Sequence, residues 1–236
     1  MKVIGIIQAR MGSSRFPGKS LADLFDNKVL GILCNRLSLS QLDQIIVATS
    51  EDPKDKEIRE YCKENSIKCF AGNEKDVFLR IKDCVTENKC DYFLRITADD
   101  VFIDNEVVDQ FINLIHTKHP KYLTSFTSKS FANGLVISAF NSSYFLNSYK
   151  PSLSDFYKEH VIPYFIEMDP LNCIKVYAPK EFQSYGMNLA IDKKSDLERL
   201  QKFLPKHAPF MRTSDIISFI KSNQKILTNF REGHEY

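Results

Sequence analysis

The chain has 236 residues, 43% hydrophobic and 26% charged, with a formal net charge of +2, enough to bury a sizeable core in one domain spanning 1–236. A charge so near balance, without a basic stripe, argues against nucleic acid as a partner, and no apolar run approaches the roughly 18 residues of a membrane span. Six cysteines (Cys34, Cys62, Cys69, Cys84, Cys90 and Cys173) form no Cys-x-x-Cys pair and read as reduced residues of a cytoplasmic protein. Met1-Lys2 leads straight into an apolar run with no small-residue cleavage site, so no secretory signal is expected.

In chain order, residues 3–7 (Val-Ile-Gly-Ile-Ile) read as a buried strand by length and β-branched content. A helix follows at 28–39, a strand at 44–49, and a polar helix at 52–65 with Pro53 in its first turn. A short strand at 67–70, a helix at 76–88, a strand at 91–97 and a helix at 105–118, capped by Asp104, continue the alternation. Strands alternating with helices predict an α/β fold: a mixed, mainly parallel sheet flanked by helices. Beyond residue 120 the pattern is less regular and suggests a small inserted lobe, with short strands at 122–126, 135–140 and 174–177 and helices at 141–148 and 156–168. Residues 187–191 look like a return to the main sheet, followed by helices at 195–204 and 214–223. The last dozen residues look weakly ordered. The 18 phenylalanines read as core and subunit contact rather than base stacking.

The loop after the first strand, Gln8-Ala-Arg-Met-Gly-Ser-Ser-Arg-Phe-Pro-Gly-Lys19, carries Arg10, Arg15 and Lys19 among turn-forming residues. Glycine admits a close backbone approach, free amides around Gly12 and Ser13 can donate, and arginine pairs bidentately with phosphate oxygens, so the loop suits a polyphosphate. It is not a Walker A loop, because five residues rather than four separate Gly12 from Gly18 and Pro17 lies among them. A triphosphate brings Mg2+, which takes one or two carboxylates from a protein. Asp99 and Asp192 each stand first after an apolar strand, where a parallel sheet opens its crevice, and are the expected metal ligands. Asp100 and Asp196 follow nearby and are equally well read as turn or capping residues.

The same loop resembles the N-terminal signature of the cytidylyltransferases that make CMP-activated sugars, including those acting on acylneuraminate and 3-deoxy-manno-octulosonate, and above all the branch of SpsF-like proteins. Arg95-Ile-Thr-Ala-Asp99 resembles the family's strand-end magnesium motif, and Asp192-Lys-Lys-Ser-Asp196-Leu its late motif. Val47-Ala48-Thr49, Gly72-Asn-Glu-Lys-Asp76-Val-Phe-Leu-Arg80 and Glu159-His160-Val161 are similar to three further elements, in order across residues 1–200. The resemblance implies a nucleotide-diphospho-sugar transferase fold and transfer of CMP from CTP to a sugar acid or sugar-like acceptor, for surface polysaccharide or glycoconjugate precursors. It places the nucleotide near Ala9, Gly12, Ser13, Ala48, Thr49 and Arg80, with Arg10, Arg15 and Lys19 on the phosphates. Glu159 and His160, at a helix start, are placed near the acceptor, and about 120–180 in an acceptor and homodimer lobe. The family usually carries two acids after the glycine at 134, where this chain has Val136 and Ser138. That departure touches the acceptor more than the nucleotide. Two other readings stay open: a GTP-using guanylyltransferase acting on a sugar phosphate, and a non-catalytic relative that binds nucleotide or sugar.

Overall fold

The computed structural model describes residues 1–231. Strand β1 (Val3–Gln8) is buried on both faces, Val3 and Ile7 in one layer and Ile4 and Ile6 in the other. That two-sided burial is why its sequence is an unbroken apolar run rather than an alternating one. A loop leads to a two-stranded ribbon, β2 (Asp23–Leu24) and β3 (Asn27–Lys28), and to α1 (Val29–Leu37). There follow β4 (Gln44–Ser50), α2 (Lys56–Glu64), β5 (Lys68–Gly72), α3 (Val77–Asn88), β6 (Tyr92–Thr97) and α4 (Asn105–Lys118). Asp76 and Asp104 cap α3 and α4 by accepting from the Leu79 and Val107 amides. The segment 120–180 supplies β7 (Tyr122–Thr124), β8 (Ser138–Asn141), α5 (Ser142–Ser148), α6 (Asp155–His160), α7 (Ile162–Met168) and β9 (Cys173–Lys175). Helices α8 (Lys194–Phe203), α9 (Thr213–Ser222) and α10 (Gln224–Phe230) come last.

Seven strands form one mixed sheet in the order β5-β4-β1-β6-β8-β7-β9, parallel except where β8 meets β6 and β7. The chain steps outward from β1 to β4 and β5, then crosses back to β6 on the other side of β1. The connections from β1 and β6 therefore leave in opposite directions, and a crevice opens at their carboxyl ends. One face of the sheet packs the aliphatic core of α1, α4 and α9. The other packs an aromatic core in which Phe78, Phe93, Tyr122, Phe140, Phe145 and Phe165 meet ring to ring, Phe140 and Phe165 at 4.6 Å between centroids. Many of the phenylalanines thus serve the interior. Cys34, Cys62 and Cys84 are buried, Cys69, Cys90 and Cys173 half-buried, and all six are unpaired. Among the described residues no helix is long and apolar enough to cross a membrane.

Three expectations are corrected. Residues 187–191 do not rejoin the sheet. β6 is already bonded on both edges, by β1 and β8, so the segment makes isolated bridges instead, Asn188 with Asn133 and Met187 with Arg231. The helix expected over 156–168 is two helices that meet at Val161, whose φ of 61° no regular helix tolerates. Pro163 enforces the break, since its ring would clash with the carbonyl four residues earlier in a continuous helix. The last dozen residues are ordered through Phe230, which is fully buried and carries the Arg199 guanidinium 5.2 Å from its ring centroid. Residues 232–236 lie outside the described part.

Candidate active site

The loop after β1 is held at both ends. Asp55, just before α2, is buried and takes the Met11 amide at 2.6 Å on one oxygen, while its other accepts the Ser50 hydroxyl and amide. Gly18 closes the loop with φ of 78°, a left-handed conformation that glycine adopts without strain, and its amide donates to the Met11 carbonyl at 2.9 Å. Between these anchors the Ser13 amide is taken by the Met11 carbonyl. Among the described residues the amides of Gly12, Ser14 and Arg15 donate to no protein atom, so they are the ones free for a ligand.

The long side chains of the loop converge on the expected carboxylates. The Lys19 ammonium donates to Asp99 and, at 3.2 Å, to Asp192, and Arg15 reaches the same Asp192 oxygen at 3.1 Å. Two carboxylates from sequence positions 93 residues apart thus share one cation, with Arg15 largely exposed and Lys19 mostly shielded. They meet because the Asp99 carbonyl accepts the Ile191 amide at 3.1 Å, joining the end of β6 to the segment before α8. Asp196 completes the support. It accepts the Asp192 and Lys193 amides at 3.0 and 2.8 Å and pairs with Arg199, so it acts on the backbone that carries Asp192. Asp100 turns away to the Thr97 hydroxyl at 2.6 Å, and burial next to Asp99 pushes its carboxyl well above the usual range.

Gly134 sets the other side of that segment. Its φ is 92°, and a Cβ there would lie 2.4 Å from the Ala190 nitrogen. Gly134→Ala is therefore expected to shift the backbone leading to Asp192 and to destabilise the protein by about 1–3 kcal/mol, as read by denaturant unfolding. Unchanged stability would mean that the segment yields freely.

A cavity of about 190 Å3 lies over the shared cation, lined by Gln8, Arg10, Arg15, Lys19, Asp99 and Asp192 among others. A larger one of about 830 Å3 adjoins it through Arg10 and is bordered by Gly12, Asp55, Asn73, Asp76 and Glu159. Arg10 and Glu159 form an ion pair of 2.9 Å between the loop and α6. Residues assigned from sequence to nucleotide and to acceptor thus meet at the mouth of the larger cavity. His160 and Glu159 end a helix rather than starting one, and His160 is exposed beside the Phe156 ring. Ala9 and Ala48 are buried and bond each other, amide to carbonyl at 3.2 Å, and Thr49 is buried with its hydroxyl unpartnered among the described residues. Arg80 is fully buried. Its guanidinium donates to the Asn73 and Glu74 carbonyls, and burial lowers its pKa to about 10. It shapes the cavity from behind, through the loop it holds. Asp55 was not assigned a role from sequence, because it stood in a stretch that read only as a polar helix; Asp196 was read there as a capping residue or a metal ligand, and it caps the start of α8.

Hard oxygen donors that already share a cation are the donor set magnesium prefers. Among the described residues no cluster of three or more metal-ligating side chains exists. Two carboxylates facing the loop after β1 could serve as protein ligands to a divalent metal.

A family model described as cytidylyltransferase matches residues 4–227. The chain is 33% identical to the protein MJ1063 of Methanocaldococcus jannaschii, over 96% of this chain and 93% of that one. It is 29% identical to the spore coat polysaccharide biosynthesis protein SpsF of Bacillus subtilis, over 96% and 97%. Among solved structures, a cytidylyltransferase from Leptospira borgpetersenii superposes with a TM-score of 0.86 at 29% identity, covering 100% of this chain and 99% of that one.

Proposed function

The chain belongs to the cytidylyltransferase family, and on that premise we propose that it transfers CMP from CTP to a sugar acid or sugar-like acceptor, releasing pyrophosphate, in the making of surface polysaccharide precursors. The strongest support is the cation shared by Asp99 and Asp192 beside Arg15, at the carboxyl ends of β1 and β6. The role of SpsF that its name states, in polysaccharide synthesis, supports the product class.

The acceptor oxygen attacks the α-phosphorus in line, and the bond to the β-phosphate oxygen breaks. Charge gathers on the leaving pyrophosphate, so the protein's task is positioning and neutralisation. Arg15 and Lys19 hold the β- and γ-phosphates, with the free amides of Gly12, Ser14 and Arg15 completing the cradle. Arg10 stands where the two cavities meet and leaves Glu159 for the nucleotide. Asp99 and Asp192 hold a divalent metal, taken as Mg2+, which supplies charge stabilisation at the α-phosphate and leaving group. The nucleoside takes the larger cavity, framed by the loop that Arg80 holds.

The reaction is cytoplasmic, where CTP is made. The working unit is a homodimer built through about 120–180, where Phe156, Met168 and Leu171 are exposed, Leu171 at 96%.

Calorimetric titration with the four nucleoside triphosphates in Mg2+ should show tightest binding for CTP. A clear preference for GTP would replace this proposal with guanylyl transfer, and no binding to any of the four would favour a non-catalytic role.

A further inference from the structure

The loops that follow β7 and β9 enclose, with the ends of α9 and α10, a cavity of about 760 Å3, a volume usual for a small-molecule site. β7 and β9 run parallel to each other, and β7 lies two antiparallel steps from β6, so the cavity opens at the same carboxyl edge of the sheet as the reaction cleft. It shares no lining residue with the two cavities there. Its floor is fixed by serine hydroxyls committed to the chain: Ser128 and Ser130 bond each other at 2.8 Å, Ser130 accepts the Ala178 amide and Ser184 the Ala132 amide, each at 2.9 Å. Residues 184–187 make a tight turn, the Met187 amide on the Ser184 carbonyl at 3.0 Å, with Gly186 in third place at φ 80°. A Cβ on Gly186 would meet nothing within 4 Å, so that corner of the turn faces open space. Among the described residues the amides of Ser130, Tyr185 and Gly186 donate to no protein atom. Lys129, Lys221 and Arg231 stand around them, and among the described residues no carboxylate lines the cavity. Tyr177 and Tyr185 also line it, both largely exposed.

We infer that this cavity is a second ligand site and that it takes a sugar phosphate. Free backbone amides on a turn, with three cations and no acid, form a concavity for an anion, and phosphate is the multiply charged anion that such a set matches. A phosphate alone fills little of the volume. The remainder is bordered by Tyr177, Tyr185 and Gln183, whose side chains combine apolar surface with polar tips and suit a ring that carries hydroxyls. Met187 lines this cavity and Asp192 the reaction cleft, so the segment between them separates the two. The inference goes beyond the transferase reading and does not rest on it.

The test follows the Gly186 amide resonance of the full chain by nuclear magnetic resonance, identified by its loss in Gly186→Asn, since asparagine tolerates a positive φ. Glucose 1-phosphate, inorganic phosphate and glucose are titrated separately. Glucose 1-phosphate should move the resonance saturably and bind about tenfold or more tighter than either of the others. In Lys129→Glu and in Arg231→Glu its affinity should fall by about tenfold or more, and if one of these does not fold the other decides. Arg15→Ala, altered in the reaction cleft, should respond as the parent does. A resonance unmoved by glucose 1-phosphate, or moved equally in the charge-reversal variants, would overturn the inference. Inorganic phosphate binding as tightly as glucose 1-phosphate would overturn the sugar assignment, and a response lost in Arg15→Ala would place the ligand in the reaction cleft instead. Calorimetry with CTP on the same samples keeps the two readings apart: a parent that binds no CTP fails as a transferase whatever this cavity holds.

Discussion

Asp99→Asn and Asp192→Asn should each lower pyrophosphate release by about a hundredfold or more while leaving the melting temperature unchanged. Each exchange removes one charged oxygen from the pair that faces the phosphate loop, and losing metal-centred charge stabilisation costs several kcal/mol in the transition state. The fold should tolerate both changes. What joins the two segments is the Asp99 carbonyl on the Ile191 amide, with Asp196 on the Asp192 and Lys193 amides, and neither substitution touches those bonds. The assay is pyrophosphate release at saturating magnesium, with melting followed in parallel. Turnover within a few-fold of the parent would remove both residues from the metal site, and a lowered melting temperature would make them structural.

Arg15→Ala should weaken CTP binding by roughly ten- to a hundredfold and CMP binding very little, because a charge-assisted contact to phosphate contributes about 1.5–3 kcal/mol. Its side chain is 59% exposed and, among the described residues, bonded only to Asp192, so the substitution disturbs little else. Lys19→Ala should show the same split between triphosphate and monophosphate, with a second consequence that follows from its position. It leaves Asp99 and Asp192 facing each other without their shared cation. Manganese alone, followed by electron paramagnetic resonance, should therefore bind Lys19→Ala more tightly than the parent, an effect Arg15→Ala produces weakly at most. Equal losses for CTP and CMP in both variants would mean that the loop does not hold the triphosphate tail.

Much of this protein is written in local pattern. The helical spacing of apolar residues, the capping aspartate 104 and the unbroken run of β1 depend on neighbours a few residues away, and those signals placed most elements of the first 120 residues. The loop 8–19 was legible for the same reason: its cations and glycines lie within one short stretch. Asp99 and Asp192 were legible as acids following apolar runs. That they share one ammonium was not, because it depends on how the chain crosses from β5 back to β6 and on a single backbone bond from Ile191 to Asp99. Local pattern also misjudged residues 187–191, whose strand-like composition says nothing about whether a sheet edge is free, and β6 has none. The Arg10–Glu159 pair, the clamp of Asp55 on Met11 and the opposition of Arg95 to Ser138 span from 43 to 149 residues of chain. By itself the sequence determined which chemical groups this protein possesses and the α/β alternation that carries them. Which groups face one another was decided only by strand order and register, since one residue of slip would turn every side chain of a strand to the opposite face of the sheet.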